Sequence, residues 1–340
     1  MGNFHSSKKF NPQRDIADLS GRVAIVTGGN AGIGYYTVKF LAQRGAKVYL
    51  AARNESKATG AIVKLEHEGL GSGGTVVFLK LDLSDPRMAK SSAQEFLSKE
   101  PRLDILVNNA GMLTDHQLKI RKTNDGILEM MATNYIGPYV FTRTLLDLLV
   151  KTAEEPESDV RIVNVNIPVP SYTGLKATWQ VSSHLHRLAK PGTDFGSPEI
   201  FRDECKEYTV PSFARYGVSK YAMNLWTSGL QRRLDESLTG KRPILVMAVH
   251  PGSVNTFAHL LPLPRLFDLL FRTFMVGADE GAATSLFAGA SPLVRADPAK
   301  YRGEYMLPVG TLTLSAAMRD PEMAGNLWTN TESFLQGLGL

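Results

Sequence analysis

Val23-Ala24-Ile25-Val26 runs directly into Thr27-Gly28-Gly29-Asn30-Ala31-Gly32-Ile33-Gly34, and this junction constrains the chain more than any other feature. An unbroken apolar run with no polar alternation predicts a strand buried on both faces, as inside a parallel sheet covered by helices. The glycines that follow let the backbone turn sharply and let a pyrophosphate approach it closely. A helical pattern from Tyr35 to Arg44 comes next. The loop therefore leads into a helix N-terminus, where unpaired N–H groups and the helix dipole favour a phosphate. The spacing is G-x-x-x-G-x-G rather than the general G-x-G-x-x-G, and its place after a buried strand predicts dinucleotide binding.

Further strands are expected at Lys47–Ala52, Thr75–Leu81, Ile105–Val107, 160–165 and Ile244–Val249, and helices at 54–69, 85–99, 127–151 and Tyr216–Leu234. Strict alternation of the two predicts an α/β fold, a doubly wound parallel sheet in a single domain spanning 19–340 after a polar tail at 1–18. The chain has 340 residues, 43% of them apolar, which supplies a sizeable core and excludes disorder as the main state. Cys205 is its only cysteine, so a disulfide scaffold is excluded and a reducing, cytoplasmic compartment is expected. The 38 Lys and Arg exceed the 33 Asp and Glu by five, but the excess is spread along the chain and makes no nucleic-acid stripe. The closest candidate for a membrane span, Ala258–Val276, contains Arg265, Asp268 and Arg272, so no membrane span is expected. The start Met1-Gly2-Asn3-Phe4-His5-Ser6 fits both an N-myristoylation signal and a frayed polar tail.

The second strand bears on the choice of nicotinamide cofactor. It ends Ala51-Ala52-Arg53-Asn54, with Lys57 one turn further on. NAD sites usually carry an acidic residue at this place for the ribose hydroxyls. Arg53 and Lys57 instead suit a 2′-phosphate, so NADP (NADPH) is the expected cofactor; Glu55 is the acidic residue nearest in sequence. Further along, Tyr216-Gly217-Val218-Ser219-Lys220 sets a phenol and an ammonium four residues apart on one helix face. A nearby cation is expected to lower the phenol's pKa toward neutrality and make it a usable proton donor or acceptor.

Taken in order, these motifs resemble the short-chain dehydrogenase/reductase family over about Leu19–His259, with a retinol-dehydrogenase-like flavour in Tyr301-Arg302-Gly303 and Asn326-Leu327-Trp328. The resemblance implies a Rossmann fold and hydride transfer between nicotinamide and a hydrophobic carbonyl or alcohol. It casts Gly28, Asn30, Gly32, Ile33 and Gly34 as the cofactor loop, Asp82 as the adenine-side aspartate, and Asn109 of Asn108-Asn109-Ala110-Gly111 as a cofactor neighbour. It casts Tyr216 and Lys220 as the catalytic pair, Asn134 as the holder of a proton-relay water, Arg143 as a cofactor contact, and Val254 and Thr256 as the grip on the nicotinamide amide.

The family's serine, which hydrogen-bonds the substrate oxygen, is displaced. An ungapped reading of Arg161-Ile162-Val163-Asn164-Val165-Asn166-Ile167 puts Ile167 in its place, and isoleucine has no donor. Removing the sixteen residues 165–180 restores Arg-Ile-Val-Asn-Val-Ser-Ser, with Ser183 as the catalytic serine. Val165-Asn166 can encode an intron donor and Gln180 an acceptor, so the insertion reads as a retained intron. The competing reading is a native loop in which Ser171 or Asn166 supplies the hydrogen bond. An insertion that displaces the serine would leave a catalytically impaired dinucleotide-binding protein, the alternative function. His184 and His186 lack metal-ligand partners, so no metal is expected. Residues 256–278 read as a substrate lid, whose helix 264–276 either covers the pocket or dips into a membrane surface. Peripheral membrane contact and oligomerisation both stay open.

Overall fold

The apolar run at Val23 forms the middle of a sheet. The computed structural model describes residues 10–112, 120–166, 195–208, 211–238, 243–252, 276–313 and 316–340. Its strands are β1 (Val23–Thr27), β2 (Lys47–Ala52), β3 (Thr75–Lys80), β4 (Ile105–Asn108), β5 (Arg161–Val165), β6 (Leu245–Val249), β7 (Tyr305–Leu307) and β8 (Thr311–Thr313). They lie in one sheet in the order β3-β2-β1-β4-β5-β6-β7-β8, all parallel except the β7–β8 pair. Strand order reverses between β1 and β4, and a doubly wound sheet opens its ligand crevice above the C-terminal ends of the strands at that point.

The helices are α1 (Pro12–Asp15), α2 (Gly32–Gln43), α3 (Glu55–Glu68), α4 (Pro86–Leu97), α5 (Glu129–Met131), α6 (Gly137–Ala153), α7 (Pro211–Ser237), α8 (Ala278–Ala290), α9 (Pro292–Ala296), α10 (Pro298–Tyr301) and α11 (Pro321–Gly337). Alternate residues of the strands face opposite layers. Val26, Leu50 and Val107 pack with Val38, Leu41 and Leu286 of α2 and α8, whereas Ile25 and Leu106 pack with Val140, Leu225 and Trp226 of α6 and α7. Local chemistry starts the helices. Asn54 accepts from the Lys57 N–H to cap α3, and Asp85 and Asp320 cap α4 and α11, each followed by a proline. α11 lies over α6 and α7 through buried Leu327, Phe334 and Leu335.

The structure departs from the sequence expectation in several places, among them the unforeseen helices α8 and α11. β7 and β8 were not foreseen, because three-residue strands carry no periodicity to read. The helix expected over 127–151 is broken by a π-turn at Ala132–Ile136, closed by Gly137 N–H donating to Ala132 O. Part of the expected tail packs on the domain: Ile16 is buried, and Phe10 meets Phe287 edge-on at 5.3 Å.

Candidate active site

The glycine loop takes its shape from close approach. Gly28 and Gly32 have φ of +66° and +54°, the left-handed region that glycine enters without cost. At Gly34 a Cβ would lie 2.3 Å from Gly28 O and 2.6 Å from Asn109 Nδ2, so α2 begins pressed against the loop and the end of β4. No side chain caps α2, which starts after the extended residue Ala31, and a Cβ on Gly32 would meet open space. The first-turn N–H groups of α2 are therefore left for a ligand, and the cradle fits a pyrophosphate. Thr27, the first residue of the loop, ties the crevice together. Its Oγ1 accepts from the N–H groups of Asn109 and Ala110 at 3.0 and 2.9 Å, and its carbonyl accepts from Asn109 Nδ2 at 2.8 Å. Asn30 and the buried Ile33 complete the loop.

At the rim, Asp82 accepts from both the N–H and the hydroxyl of Ser84 through Oδ1. Arg53 leaves the tip of β2 with its side chain 62% exposed, and Lys57 is exposed on the first turn of α3. Arg143 does not join this group. Its guanidinium pairs with Glu332 of α11 at 2.7 Å, and Tyr139 donates to the same carboxylate, so Arg143 bridges helices rather than facing the crevice.

Tyr216 and Lys220 lie on α7, 2% and 7% exposed, with Nζ 5.6 Å from the centre of the phenol ring. Lys220 Nζ donates to Val165 O at 3.3 Å. Met112, Met130 and Phe213 pack around the Tyr216 ring. Asn134 sits in the π-turn and spends its side chain on position: Oδ1 accepts from Met112 N–H at 2.7 Å, and Nδ2 donates to Met112 O and Ser219 Oγ. Ser219 in turn donates to Tyr216 O, so Asn134 links the loop after β4 to the helix carrying the phenol.

The electrostatics correct one expectation. Burial raises the Tyr216 phenol well above its ordinary value, with Tyr305 adding to the rise. Burial also pulls Lys220 down to about 8. Spacing along a helix predicts proximity, but not that burial desolvates both groups together. His250, at the tip of β6, is held down to about 4 by burial, and its Nδ1 accepts from Gly252 N–H at 2.7 Å.

Val165 and Asn166, the first two residues of the anticipated insertion, belong to the strand ladder. Val165 is paired with Val249, and Asn166 N–H donates to Val249 O at 2.7 Å, so the ladder continues through Asn166. Asn166 Nδ2 donates to Asn224 Oδ1 at 2.6 Å and to Lys220 O at 3.3 Å, which turns its donors toward α7 and removes it as the holder of a substrate oxygen. Ser171, Ser183, His184, His186, Val254, Thr256, the rest of 165–180 and the lid helix at 264–276 lie outside the described residues, as do residues 1–9. No helix among the described residues is long and apolar enough to cross a membrane.

The sequence model of the short chain dehydrogenase family matches residues 22–177. A short-chain dehydrogenase/reductase of Armillaria gallica is 39% identical over 337 residues, covering 97% of this chain and 98% of its own length. This chain belongs to the short-chain dehydrogenase/reductase family. A second family member, from Gibberella zeae, is 37% identical over 334 residues, covering 96% of this chain and 86% of its own. The solved RhlG/NADP active-site complex of Pseudomonas aeruginosa shares the fold, with a TM-score of 0.59 at 22% identity over 88% of this chain and 98% of that one. As a short-chain dehydrogenase/reductase, the protein is a Rossmann-fold oxidoreductase that uses a nicotinamide dinucleotide on small substrates.

Proposed function

We propose that this protein reduces a hydrophobic carbonyl with NADPH, Tyr216 giving the proton. The observation that carries this reading is the buried phenol of Tyr216 beside Lys220, next to a glycine cradle and uncapped helix that fit a dinucleotide. A phenol held above its ordinary pKa stays protonated at neutral pH, the form that can give a proton to a carbonyl oxygen. Met112, Met130 and Phe213 give the phenol an apolar, water-poor surround and favour a hydrophobic substrate.

When bound, the cofactor supplies the hydride. Gly28, Asn30, Gly32, Ile33 and Gly34 would hold its pyrophosphate, Asp82 and Asn109 its adenosine side, and Arg53 and Lys57 its 2′-phosphate. Lys220 would hold the nicotinamide ribose, with Val254 and Thr256 on the amide. Asn134 would act through position, fixing Met112 and, through Ser219, the turn that carries Tyr216. Ser183 is assigned the hydrogen bond to the substrate oxygen, a role that Asn166 has no free donor to fill. The domain would span 19–340, with residues 256–278 as a lid and a retinol-dehydrogenase-like substrate class. The test is a panel of hydrophobic carbonyls and alcohols offered to the full chain with NADPH, NADH and their oxidised forms. Carbonyl-dependent NADPH consumption is the expected result. Turnover with NADH alone, or of alcohols alone, would overturn it.

A further inference from the structure

A carboxylate reaches the tip of β2 from a distant part of the chain. Glu129, the first residue of α5, places Oε1 3.8 Å from Arg53 Nη1, and its Oε2 lies 3.9 Å from Arg121 Nη1. A small hairpin holds this pairing in register. Glu129 N–H donates to Arg121 O at 2.9 Å, Lys122 bridges Leu128, and Thr123 N–H donates to Ile127 O. The two arginine side chains are 62% and 58% exposed, whereas that of Glu129 is only 14% exposed. Glu129 Oε2 is buried and accepts no hydrogen bond among the described residues. The one carboxylate offsets only one of the two positive charges, and among the described residues neither guanidinium closes to the roughly 2.7–2.9 Å of a charge-assisted hydrogen bond with it.

We propose that Arg121 and Glu129 act with Arg53 as the specificity-determining set for the cofactor's ribose 2′ position, Arg121 favouring a 2′-phosphate and Glu129 opposing it. The inference rests on the dinucleotide reading above and deepens it. Two guanidinium groups whose donors make no close hydrogen bond among the described residues match a phosphate monoester, which can accept from both in fork geometry. The carboxylate between them repels the same dianion and lacks a donor that a 2′-hydroxyl could supply. The site therefore accepts both nicotinamide cofactors and ranks the phosphorylated one first, by a margin that Glu129 narrows.

Isothermal titration of the full chain with 2′,5′-ADP and with 5′-AMP isolates the 2′-phosphate from the rest of the cofactor. Arg121→Gln is expected to weaken 2′,5′-ADP about fivefold, the scale of an exposed charge contact, and to leave 5′-AMP within about twofold. Glu129→Gln is expected to do the reverse, tightening 2′,5′-ADP about fivefold and weakening 5′-AMP. A merely structural role would move both ligands together. Equal shifts for both, or weaker 2′,5′-ADP binding by Glu129→Gln, would overturn the proposal. The Arg121 side chain is 58% exposed, so its variant carries the test should Glu129→Gln misfold. Arg53→Gln separates the two readings. If it weakens 2′,5′-ADP while the other two variants change nothing, this proposal alone falls. If wild type has no preference for 2′,5′-ADP and Arg53→Gln changes nothing, the NADPH assignment falls with it.

Discussion

Replacing Lys220 with methionine keeps an unbranched side chain of similar length and removes an ammonium buried beneath the crevice. In the folded protein that ammonium donates one long hydrogen bond, 3.3 Å to Val165 O, and burial lowers its pKa from 10.5 to about 8. At ~1.4 kcal/mol per pH unit, the gap costs the cofactor-free protein about 3 kcal/mol at pH 7. The methionine thioether pays little desolvation and forfeits only the weak hydrogen bond, worth about 1 kcal/mol. Lys220→Met should therefore be about 2 kcal/mol more stable than wild type at pH 7, a rise in Tm of about 3 °C for a chain of this length. Between pH 8 and 10.5 the unfolded chain carries the proton and the folded chain does not, so wild-type stability rises across that window. The variant's advantage should accordingly shrink toward pH 10.5. The same substitution should weaken NADPH binding and lower turnover, so stability and function move in opposite directions. Urea denaturation of the cofactor-free proteins at pH 7 and pH 10 reads the first effect. A variant less stable than wild type at pH 7, or a difference independent of pH, would refute the argument that burial leaves Lys220 under-compensated.

Gly34→Ala would set a methyl 2.3 Å from Gly28 O, a backbone atom that cannot move aside cheaply, and should cost about 1–3 kcal/mol in urea denaturation together with most of the NADPH affinity. His250, lowered from 6.5 to about 4, makes the unfolded chain bind a proton that the folded chain does not, so stability should fall as pH drops from 6.5 toward 4. His250→Gln keeps an acceptor for Gly252 N–H and should lose part of that acid sensitivity, measured as Tm against pH. The chain lacking residues 165–180 should be more active and more stable than the full chain, with Ser183→Ala removing its activity. If the full chain is the better enzyme and Ser183→Ala is harmless in it, the segment is native and Ser171 becomes the residue to test.

The parts of the fold read correctly from sequence were those written in local chemistry. Val23–Val26 announced a doubly buried strand, and the helix expected at 54–69 forms as α3. Tyr216 and Lys220 were legible because four residues is one helical turn, and both do share a face of α7. Desolvation depends on what the rest of the fold packs against that face, so their ionisation was not legible. The π-turn under Asn134 is set partly by Gly137, where a Cβ would lie 2.3 Å from Leu83 O, a contact between residues fifty-four apart in the chain. Arg143 was misplaced for the same reason. Its ion-pair partner, Glu332, arrives from a C-terminal helix that no local pattern connects to it. Nor could the strand-tip motif reveal Glu129, which reaches Arg53 across seventy-six residues of sequence.

Single-turnover mixing asks directly whether Tyr216 moves the proton in a carbonyl reduction. Wild type and Tyr216→Phe are each loaded with NADPH, mixed with the best carbonyl from the panel, and followed by loss of reduced nicotinamide absorbance. The substitution removes the hydroxyl but keeps the ring among Met112, Met130 and Phe213. NADPH binding should therefore stay within about twofold, while the rate falls about 10²–10⁴-fold, the loss of general acid help. A Tyr216→Phe enzyme that binds NADPH normally and turns over at the wild-type rate would contradict the account.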